Sequence, residues 1–397
     1  MSVRAPIDPV AVAPVASALA GARTLPAEAY LSDDVLTWER RHLFDASWTC
    51  VGRSDDLGRS GDQKAVRTAS DGVLLVRPDD GDVRGFYNVC RHRGHELLEP
   101  GTTTHLRAIK CPYHAWVYSL DGALAGAPRF GDVAGFDKAD FPLIRARVAE
   151  WHGWLFVNAS GDAPAFEDHV GNLEELVAPW SPERLFVAER HEYVVEANWK
   201  GITENYHECY HCPSIHPELC EVTRAESGEN FAHHGCWVGG SMELKEHAET
   251  MSLSGQSLGV RVPGLTDKQA REVYYLGLFP NLLISLHPDY VMTHRLEPLA
   301  PGRTRVECAW LFPGEAKERA DFVPTYASEF WDITNREDWR ACESVQRGLA
   351  SVGQRQGPFA WSEDEVHAFM AMIARAYLDG RVGPPPPIEH PATVAAR

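Results

Sequence analysis

The period of the hydrophobic pattern changes along the chain, and each change marks a different kind of structure. Residues 26–46 carry apolar positions at helical spacing, with Leu36 and Leu43 on one face and Ser32 able to cap the start. Residues 47–160 alternate short β-rich segments, such as DGVLLVRP and GWLFVNA, with Gly, Asp and Pro turns. The pattern therefore predicts one amphipathic helix followed by an all-β domain.

The second half of the chain mixes both periods. Four strand-like runs lie between Val273 and Phe312, and Gly, Pro and Asp separate them, which indicates an antiparallel sheet. Helical periodicity follows from Pro313 to about Leu349, and it returns later in the chain. We therefore predict an α+β domain over residues 165–381, in which helices pack on the sheet.

The two ends of the chain have biased composition. Residues 1–25 are rich in Ala, Val and Pro, and we expect a mobile arm there, followed by the 26–46 helix packed on the second domain. A run of four prolines begins at Pro384, so we expect residues 382–397 to form a Pro-rich tail without helix or inner strand.

Composition narrows the classes of partner. The 397 residues include 38 basic and 56 acidic side chains, and the resulting net charge of −18 argues against nucleic acid or an anionic membrane. No apolar run approaches the roughly 20 residues of a membrane span, and the N-terminus lacks the pattern of a secretory signal. We therefore expect a cytoplasmic protein whose nine cysteines are reduced thiols or metal ligands.

Two short motifs pair cysteine with histidine. Cys90 and His92 stand in C-R-H-R-G-H, and Cys111 and His114 stand in C-P-Y-H. Each pair suits a tight loop between strands, and two such loops can close on one cofactor. Two thiolates and two imidazoles fit a structural zinc site or a Rieske [2Fe–2S] cluster. The cluster is favoured because each loop supplies one ligand of each type, whereas zinc fingers usually pair like with like.

A second group of candidate ligands lies in the segment E-N-Y-H-E-C-Y-H-C-P-S-I-H-P. Asn198 is a good N-cap for a helix in which the spacing places Glu208 and His211 on one face. His211 and His216 are five residues apart, which suits one metal only if the helix breaks, and Pro213 provides that break. Two histidines and one carboxylate with open positions describe the facial triad of Fe(II) oxygenases.

A candidate for the carboxylate of this triad lies on the predicted helix that ends at about Leu349. A core-facing stripe recurs there at spacings of three and four, and it comprises Trp331, Thr334, Asp338, Cys342, Val345 and Leu349. A buried Asp is costly unless it is paired or bound to metal, so Asp338 is the preferred third ligand. Glu337 lies off the stripe, Asp332 lies at its edge, and both remain alternatives, as does Glu208.

In these motifs the chain resembles the Rieske non-heme iron oxygenases, the family of ring-hydroxylating oxygenase large subunits. The resemblance covers residues 24 to 380. It implies that Cys90 and Cys111 bind one iron of the cluster while His92 and His114 bind the other. It also aligns Tyr113 with a family position, from which its hydroxyl could bond a cluster sulfur. The implied fold is α+β: an all-β Rieske domain plus a helix-grip, START-like catalytic domain.

The catalytic motif of the family is an acid, two residues, His, four residues and His. It maps onto Glu208, His211 and His216, and it implies that both histidines bind the mononuclear iron. The acid then bridges to a cluster histidine of the neighbouring subunit in a homotrimer. Most ring dioxygenases carry Asp at this position, whereas Glu is typical of the branch acting on carnitine, choline and glycine betaine. A late Asp before V-Q-x-G-L corresponds to Asp338.

The resemblance implies an oxygenase component that takes electrons from a separate NAD(P)H-dependent reductase or ferredoxin and uses O2 on a small organic substrate. Hydroxylation or N-demethylation of a quaternary amine is the leading prediction, because aromatic residues that could bind a cation are available. They are Tyr206, Tyr210, Trp237, Tyr275 and Trp331. An aromatic ring-hydroxylating dioxygenase is the first alternative. A non-catalytic Rieske electron carrier or a zinc-stabilised binding module is the second.

Overall fold

The computed structural model describes residues 3–131 and 133–388. Within these ranges the chain forms two compact units. The β unit comprises residues 44–164, and the α+β unit comprises the described residues before 44 and after 164. The β unit extends slightly beyond the predicted range 47–160 at both ends.

The described part of the β unit contains short antiparallel strands. They are β1 Thr49–Arg53, β2 Asp62–Arg67, β3 Gly72–Val76, β4 Arg84–Tyr87, β5 Thr103–His105, β6 Ile109–Lys110, β7 Val117–Tyr118, β8 Leu124–Gly126, β9 Arg145–Trp151 and β10 Trp154–Asn158. Seven form one sheet in the order β1-β10-β9-β4-β3-β2-β5, and β6-β7-β8 form a second. Side chains alternate between two cores: Leu74 and Val76 pack in the core that holds Cys90 and Cys111, and their neighbours pack in the other.

The α+β unit begins and ends with helices. Its described helices are α1 Pro9–Val12, α2 Glu28–Leu31, α3 Asp33–Glu39, α4 Phe166–Val170, α5 Leu173–Val177, α6 Trp199–Tyr206, α7 Cys212–Ile215, α8 Pro217–Val222, α9 Thr325–Leu349 and α10 Asp364–Asp379. Short 3-10 turns and a π-type turn join several of them. This unit is the helix-rich part of the molecule.

One antiparallel sheet runs through the α+β unit. Its strands are β11 Phe186–Val195, β12 Glu229–Asn230, β13 Trp237–Glu243, β14 Glu272–Leu278, β15 Leu282–Leu286, β16 Val291–Ala300 and β17 Arg303–Phe312. The order is β11-β17-β16-β15-β14-β13-β12. Strand side chains such as Met292 and Trp310 share one core with Phe330 and Trp331 of α9. The long helix packed on this sheet is the predicted helix-grip arrangement.

The expectation of a mobile arm over residues 1–25 is wrong for its described part. Val12, Val15 and Leu19 are buried, because the segment packs on α10 as short helical turns. His367 bonds the backbone oxygen of Ser17 at 2.9 Å, which fixes the segment to that helix. Residues 1 and 2 lie outside the described residues, as does most of the predicted Pro-rich tail, from 389 to 397.

The helix predicted over 26–46 is two helices. They meet at Ser32, whose hydroxyl accepts the Val35 N–H at 3.3 Å and caps α3. After α3 the backbone widens into a π-type turn. The Tyr30 hydroxyl donates to Glu204 Oε1 at 2.7 Å, so the segment packs within the α+β unit.

A fully buried ion pair joins α3 to α6. Lys200 Nζ lies 2.6 Å from Glu39 Oε1, and both side chains are 0% exposed. The Trp199 indole N–H and the Tyr377 hydroxyl also donate to the Glu39 carboxylate. Three helices that are distant in sequence are therefore held by one carboxylate with three donors.

Glu204 gives the α+β unit a pH-dependent stability. Burial raises the pKa of Glu204 to about 7, although the Tyr30 hydroxyl and the Lys200 charge oppose that shift. The folded state thus binds this proton more tightly than the unfolded chain, where the carboxyl titrates near 4.5. The contribution of protonated Glu204 to the free energy of unfolding is fully present below the pKa of the unfolded chain. It is lost as pH rises through the pKa of the folded state.

At about pH 8 we expect Glu204→Gln to be more stable than the native chain, with a free energy of unfolding in urea that is higher by about 1–3 kcal/mol. The amide keeps an acceptor for Tyr30 but needs no ionisation. Near pH 5 the two proteins should have similar stability. Glu318→Gln, at an exposed position, is the control. If the difference in the free energy of unfolding between Glu204→Gln and the native chain were the same near pH 5 and at about pH 8, the raised pKa of Glu204 would be contradicted.

Candidate functional site

The predicted cluster ligands lie at the tips of two loops that are built alike, and they are Cys90, His92, Cys111 and His114. In each loop the cysteine N–H donates to the carbonyl five residues later, at 2.8 Å. The fourth residue after each cysteine, Gly94 or Ala115, has positive φ and donates back to the cysteine carbonyl. The same tight turn therefore presents one thiol and one imidazole on each side.

These four side chains fit an iron–sulfur cluster. Both thiols are buried, and the rings of His92 and His114 lie 4.8 Å apart. The buried Nδ1 of His92 has no hydrogen-bond partner among the described residues, so it is available as a ligand atom. Two buried thiols with two imidazoles are the donor set of a Rieske cluster.

A tyrosine contacts a cluster thiol, but it is not the predicted one. Tyr113 is 53% exposed, with the Arg93 guanidinium 5.6 Å from its ring. The hydroxyl of Tyr118 lies 3.2 Å from Cys90 Sγ and accepts the Arg91 N–H. Burial raises the pKa of Tyr118, so its hydroxyl stays protonated and can donate to sulfur. The prediction for Tyr113 is replaced by Tyr118, which the strand alternation turns inward.

The helix that precedes the iron motif is shorter than predicted. Asn198 caps α6 as expected, by accepting the Lys200 N–H, but the helix ends at Tyr206. Glu208 therefore lies in a turn and does not share a helix face with His211. The break also precedes Pro213, which occupies the first turn of α7.

The turn is closed by the carboxylate of Glu208. Its Oε2 accepts the N–H of Tyr210 and of His211, and its Oε1 bonds His211 Nδ1. A disulfide joins Cys209 to Cys212 within the same turn, so the expectation that all cysteines are thiols or metal ligands is wrong for this pair.

His211 and His216 flank α7 as its N-cap and C-cap residues, and Asp338 of α9 joins them. One ligand atom from each lies within 4.8 Å of the others. Asp338 Oδ1 is 2.9 Å from His216 Nε2 and 3.4 Å from His211 Nε2. Two imidazoles and one carboxylate thus converge on one point, as a facial triad requires.

The outward nitrogens of both imidazoles bond carboxylates. His211 Nδ1 bonds Glu208, and His216 Nδ1 lies 2.8 Å from Glu337 Oε2. This leaves Nε2 of each ring directed at Asp338, in the arrangement by which carboxylates orient metal-binding histidines. Asp332 is engaged elsewhere, with Tyr193 and Arg336. The contacts therefore distinguish the three acidic residues considered on α9. Asp338 faces both histidines, Glu337 bonds the outer nitrogen of His216, and Asp332 bonds Tyr193 and Arg336.

The charge of this site also fits a divalent cation. Three carboxylates surround two imidazoles. Burial alone would lower the pKa of His211, but its bonds to Asp338 and Glu208 raise it to about 9. Burial would likewise raise the pKa of Asp338, but the two histidines lower it. The site favours positive charge at its centre, which a ferrous ion would supply.

Asn205 was not identified from the sequence, yet its amide nitrogen lies 3.5 Å from His211 Nε2.

The five aromatic candidates divide into two groups. Tyr206 and Tyr275 have ring centroids 5.8 Å apart, and Trp331 lies 6.4 Å from Tyr275. Tyr210 is exposed, and Trp237 bonds the segment near Asn172 instead. Three of the five therefore form an aromatic cluster: Tyr206, Tyr275 and Trp331.

The chain matches the models of two protein families. Residues 47–137 match the Rieske [2Fe-2S] domain, and residues 182–379 match the ring hydroxylating alpha subunit catalytic domain. The first range contains all four predicted cluster ligands, and the second contains His211, His216 and Asp338.

Two characterised relatives align with most of the chain. The glycine betaine monooxygenase oxygenase subunit of Chromohalobacter salexigens is 30% identical over 389 residues, which cover 89% of this chain and 86% of the relative. The carnitine monooxygenase oxygenase subunit of Escherichia coli K12 is 32% identical over 372 residues, which cover 90% and 94%.

Solved structures agree with these relatives. The quaternary ammonium Rieske monooxygenase CntA in complex with L-carnitine superposes with a TM-score of 0.74 at 26% identity, covering 94% of this chain and 99% of that chain. Naphthalene 1,2-dioxygenase from Rhodococcus sp. shares the fold, with a TM-score of 0.74 at 20% identity over 89% and 94% of the two chains. The chain belongs to the Rieske non-heme iron oxygenases as an oxygenase subunit, an enzyme whose cofactors are a [2Fe–2S] cluster and a mononuclear iron.

Proposed function

We propose that this chain is the oxygenase component of a monooxygenase that hydroxylates an N-methyl group of a small quaternary ammonium compound. The observation that carries the substrate class is the aromatic cluster of Tyr206, Tyr275 and Trp331. Trp331 and Asp338 are seven residues apart on α9 and face the same side, so the cluster lies about two helical turns from the proposed iron ligand.

The aromatic cluster is suited to a cation. Its ring faces carry negative electrostatic potential, and an ammonium group within about 6 Å of a ring centroid is attracted to it. The hydroxyls are already engaged, since Tyr206 bonds Ser285 and Tyr275 bonds Met251 Sδ. The rings therefore offer aromatic surface near a site rich in carboxylates, which favours a quaternary ammonium group over a neutral substrate.

When bound, the [2Fe–2S] cluster would supply electrons one at a time, and the mononuclear ferrous ion would activate O2. Two electrons come from NAD(P)H through a separate reductase. One oxygen atom would enter the C–H bond of the methyl group, and the other would leave as water with the two electrons and two protons, one released on NAD(P)H oxidation and one from solvent. The hydroxymethyl product then releases formaldehyde and a proton, which leaves a tertiary amine. The chain's own residues orient the two histidines and hold the substrate methyl beside the open positions.

We propose that Cys90, His92, Cys111 and His114 hold the cluster and that His211, His216 and Asp338 hold the iron. Glu208 would link His211 to a cluster histidine of a second copy in a homotrimer. The bond from its carboxylate to His211 Nδ1 supports one half of that link. A trimer and a cytoplasmic location belong to the proposal, and light scattering should give three times 44.1 kDa.

Among the described residues, the structure contains no helix with the length and apolar character needed to cross a membrane.

The substrate class is tested with the purified oxygenase, a generic reductase and NADH. Glycine betaine, carnitine and choline should each be compared with the isostere in which a tert-butyl group replaces trimethylammonium. We expect formaldehyde coupled to O2 uptake for at least one cation, and a KM about 10–30-fold higher for its neutral isostere. Dihydrodiol formation from naphthalene, without turnover of any cation, would instead support the ring-hydroxylating alternative and refute this proposal.

Glu208→Gln, loaded with excess ferrous ion to offset any weaker iron binding, is expected to hold both metals and still lose turnover by roughly 100-fold, because an amide cannot accept from two imidazoles as a carboxylate does. Iron analysis and the visible spectrum measure the metals, and O2 uptake measures turnover. Glu246→Gln, at a side chain 95% exposed, is the control. Unchanged coupled turnover in Glu208→Gln would remove Glu208 from the proposed link.

A further inference from the structure

A second buried acid–imidazole pair lies directly beside the turn of Glu208. His207 follows the last residue of α6, and its Nδ1 lies 3.5 Å from Glu365 Oε2. The His207 side chain is 0% exposed and that of Glu365 is 6% exposed. Burying both groups is costly unless they interact.

The sheet is shaped to receive this pair. A Cβ atom at Gly277 of β14 would overlap Nε2 of His207, and one at Gly240 of β13 would meet Glu365 Oε1 at 2.8 Å. Both glycines lie within strands, where glycine otherwise weakens pairing. The two strands thus provide one recess for the imidazole and another for the carboxylate.

Two helix faces meet over these recesses. Thr203 lies on α6 four residues before His207, which caps that helix, and Phe369 and Met372 follow Glu365 on the same face of α10. All except Glu365 line one enclosed cavity with room for about one water molecule. The walls are otherwise apolar, so Glu365 is the acidic partner placed to fix the imidazole.

The 3.5 Å contact between His207 Nδ1 and Glu365 Oε2 does not have hydrogen-bond geometry in the structure. Both ring nitrogens of His207 and Oε1 of Glu365 lack a hydrogen bond within the described part of the chain. Burial disfavours charge on either group: it lowers the pKa of His207 to about 3 and raises that of Glu365 well above its usual range. Burial therefore favours the uncharged form of each group.

The next residue along the chain is Glu208, whose carboxylate organises the turn to His211. The start of α10 is close to this turn, since Glu365 contacts His207, the residue that precedes Glu208. His207 is the first residue after α6. Holding its imidazole between α10 and the sheet therefore also holds the backbone from which Glu208 begins the turn.

We propose that His207 and Glu365 are positioning residues, and that their buried pair sets the direction of Glu208 and His211. The inference deepens the proposed function because it rests on the link assigned to Glu208. A displacement of about 1 Å at such a site can cost on the order of 100-fold in rate, so the pair controls electron delivery without touching substrate or metal.

Two substitutions at Glu365 separate positioning from packing. Glu365→Leu retains volume but leaves His207 without a polar partner, whereas Glu365→Gln retains a group that can bond the imidazole. Gly277→Ala disturbs the imidazole from the opposite side. Matched controls are Asp379→Asn, exposed at the far end of α10, and Gly201→Ala on α6, where an added Cβ meets nothing within 4 Å.

The first measurement is hydrogen exchange of the Tyr210 and His211 amides, followed by mass spectrometry on the metal-loaded protein without turnover. We expect at least tenfold faster exchange in Glu365→Leu and Gly277→Ala, and native rates in Glu365→Gln and both controls. Unchanged exchange in the first two variants would overturn the proposal. If Glu365→Leu does not fold, Gly277→Ala and His207→Gln give the same comparison.

The second measurement is steady-state turnover with iron content determined in parallel. We expect kcat per iron to fall at least tenfold in Glu365→Leu with KM unchanged, and to recover in Glu365→Gln. Faster exchange with native kcat would support positioning by the pair while refuting the link through Glu208. Equal loss of kcat in the Leu and Gln variants, with native exchange in both, would overturn the proposed pair.

Discussion

Asp338→Ala is expected to remove the mononuclear iron, lower turnover by more than about 100-fold and leave the cluster intact. The substitution removes the only oxygen ligand that lies within 3.4 Å of Nε2 of both His211 and His216 among the described residues. The cluster ligands lie in the other unit, so the visible spectrum should not change. Iron analysis and O2 uptake measure the two losses.

Two neighbours on α9 provide graded controls for this result. Asp332→Ala should retain iron and turnover, because Asp332 bonds Tyr193 and Arg336 rather than the histidines. Glu337→Gln should weaken iron binding by about 10–100-fold, since it alters only the partner of His216 Nδ1. Full iron content in Asp338→Ala, or iron loss in Asp332→Ala, would show that another acid binds the metal.

Lys200→Met is expected to destabilise the α+β unit by about 3–5 kcal/mol. The substitution leaves the Glu39 carboxylate fully buried without its cation, with Trp199 and Tyr377 as donors that remain within the described part of the chain. Urea unfolding followed by tryptophan fluorescence measures the change in the free energy of unfolding. Because this ion pair joins three helices, the loss should appear in the main transition of the unit.

The control is Arg303→Met, which breaks a pair with Glu196 that is exposed on both sides and should change stability by less than about 1 kcal/mol. The double variant Glu39→Leu with Lys200→Met should recover part of the loss, since removing both charges avoids an unpaired buried carboxylate. Similar stability of Lys200→Met and the native chain would contradict the proposed contribution of the pair.

Local pattern was sufficient to bring forward the proposed ligands that are close in sequence. The loops of Cys90 and Cys111 are short and repeat one geometry, so residue type and spacing identified them together. The same holds for the N-cap at Asn198 and for the alternation of β3. The stripe on α9 located Asp338, although Val345 of that stripe is 56% exposed because the core does not extend to the end of the helix.

Partners that are distant in sequence could not be predicted in this way. The assignment of Tyr118 rather than Tyr113 to the Cys90 sulfur depends on which side of a turn faces the core. The bond between Glu337 and His216 joins residues 121 apart in sequence, and the packing of Val12 and Val15 requires α10, which is hundreds of residues away.

By itself the sequence determined which donor atoms are available, in what local order, and hence the two metal chemistries, because ligand type and short spacing are properties of the chain. Only the tertiary structure decided which of several acids faces the histidines, where α6 ends and which aromatic rings converge. Those outcomes depend on burial, and a side chain is buried only by segments that folding brings to it from elsewhere in the chain.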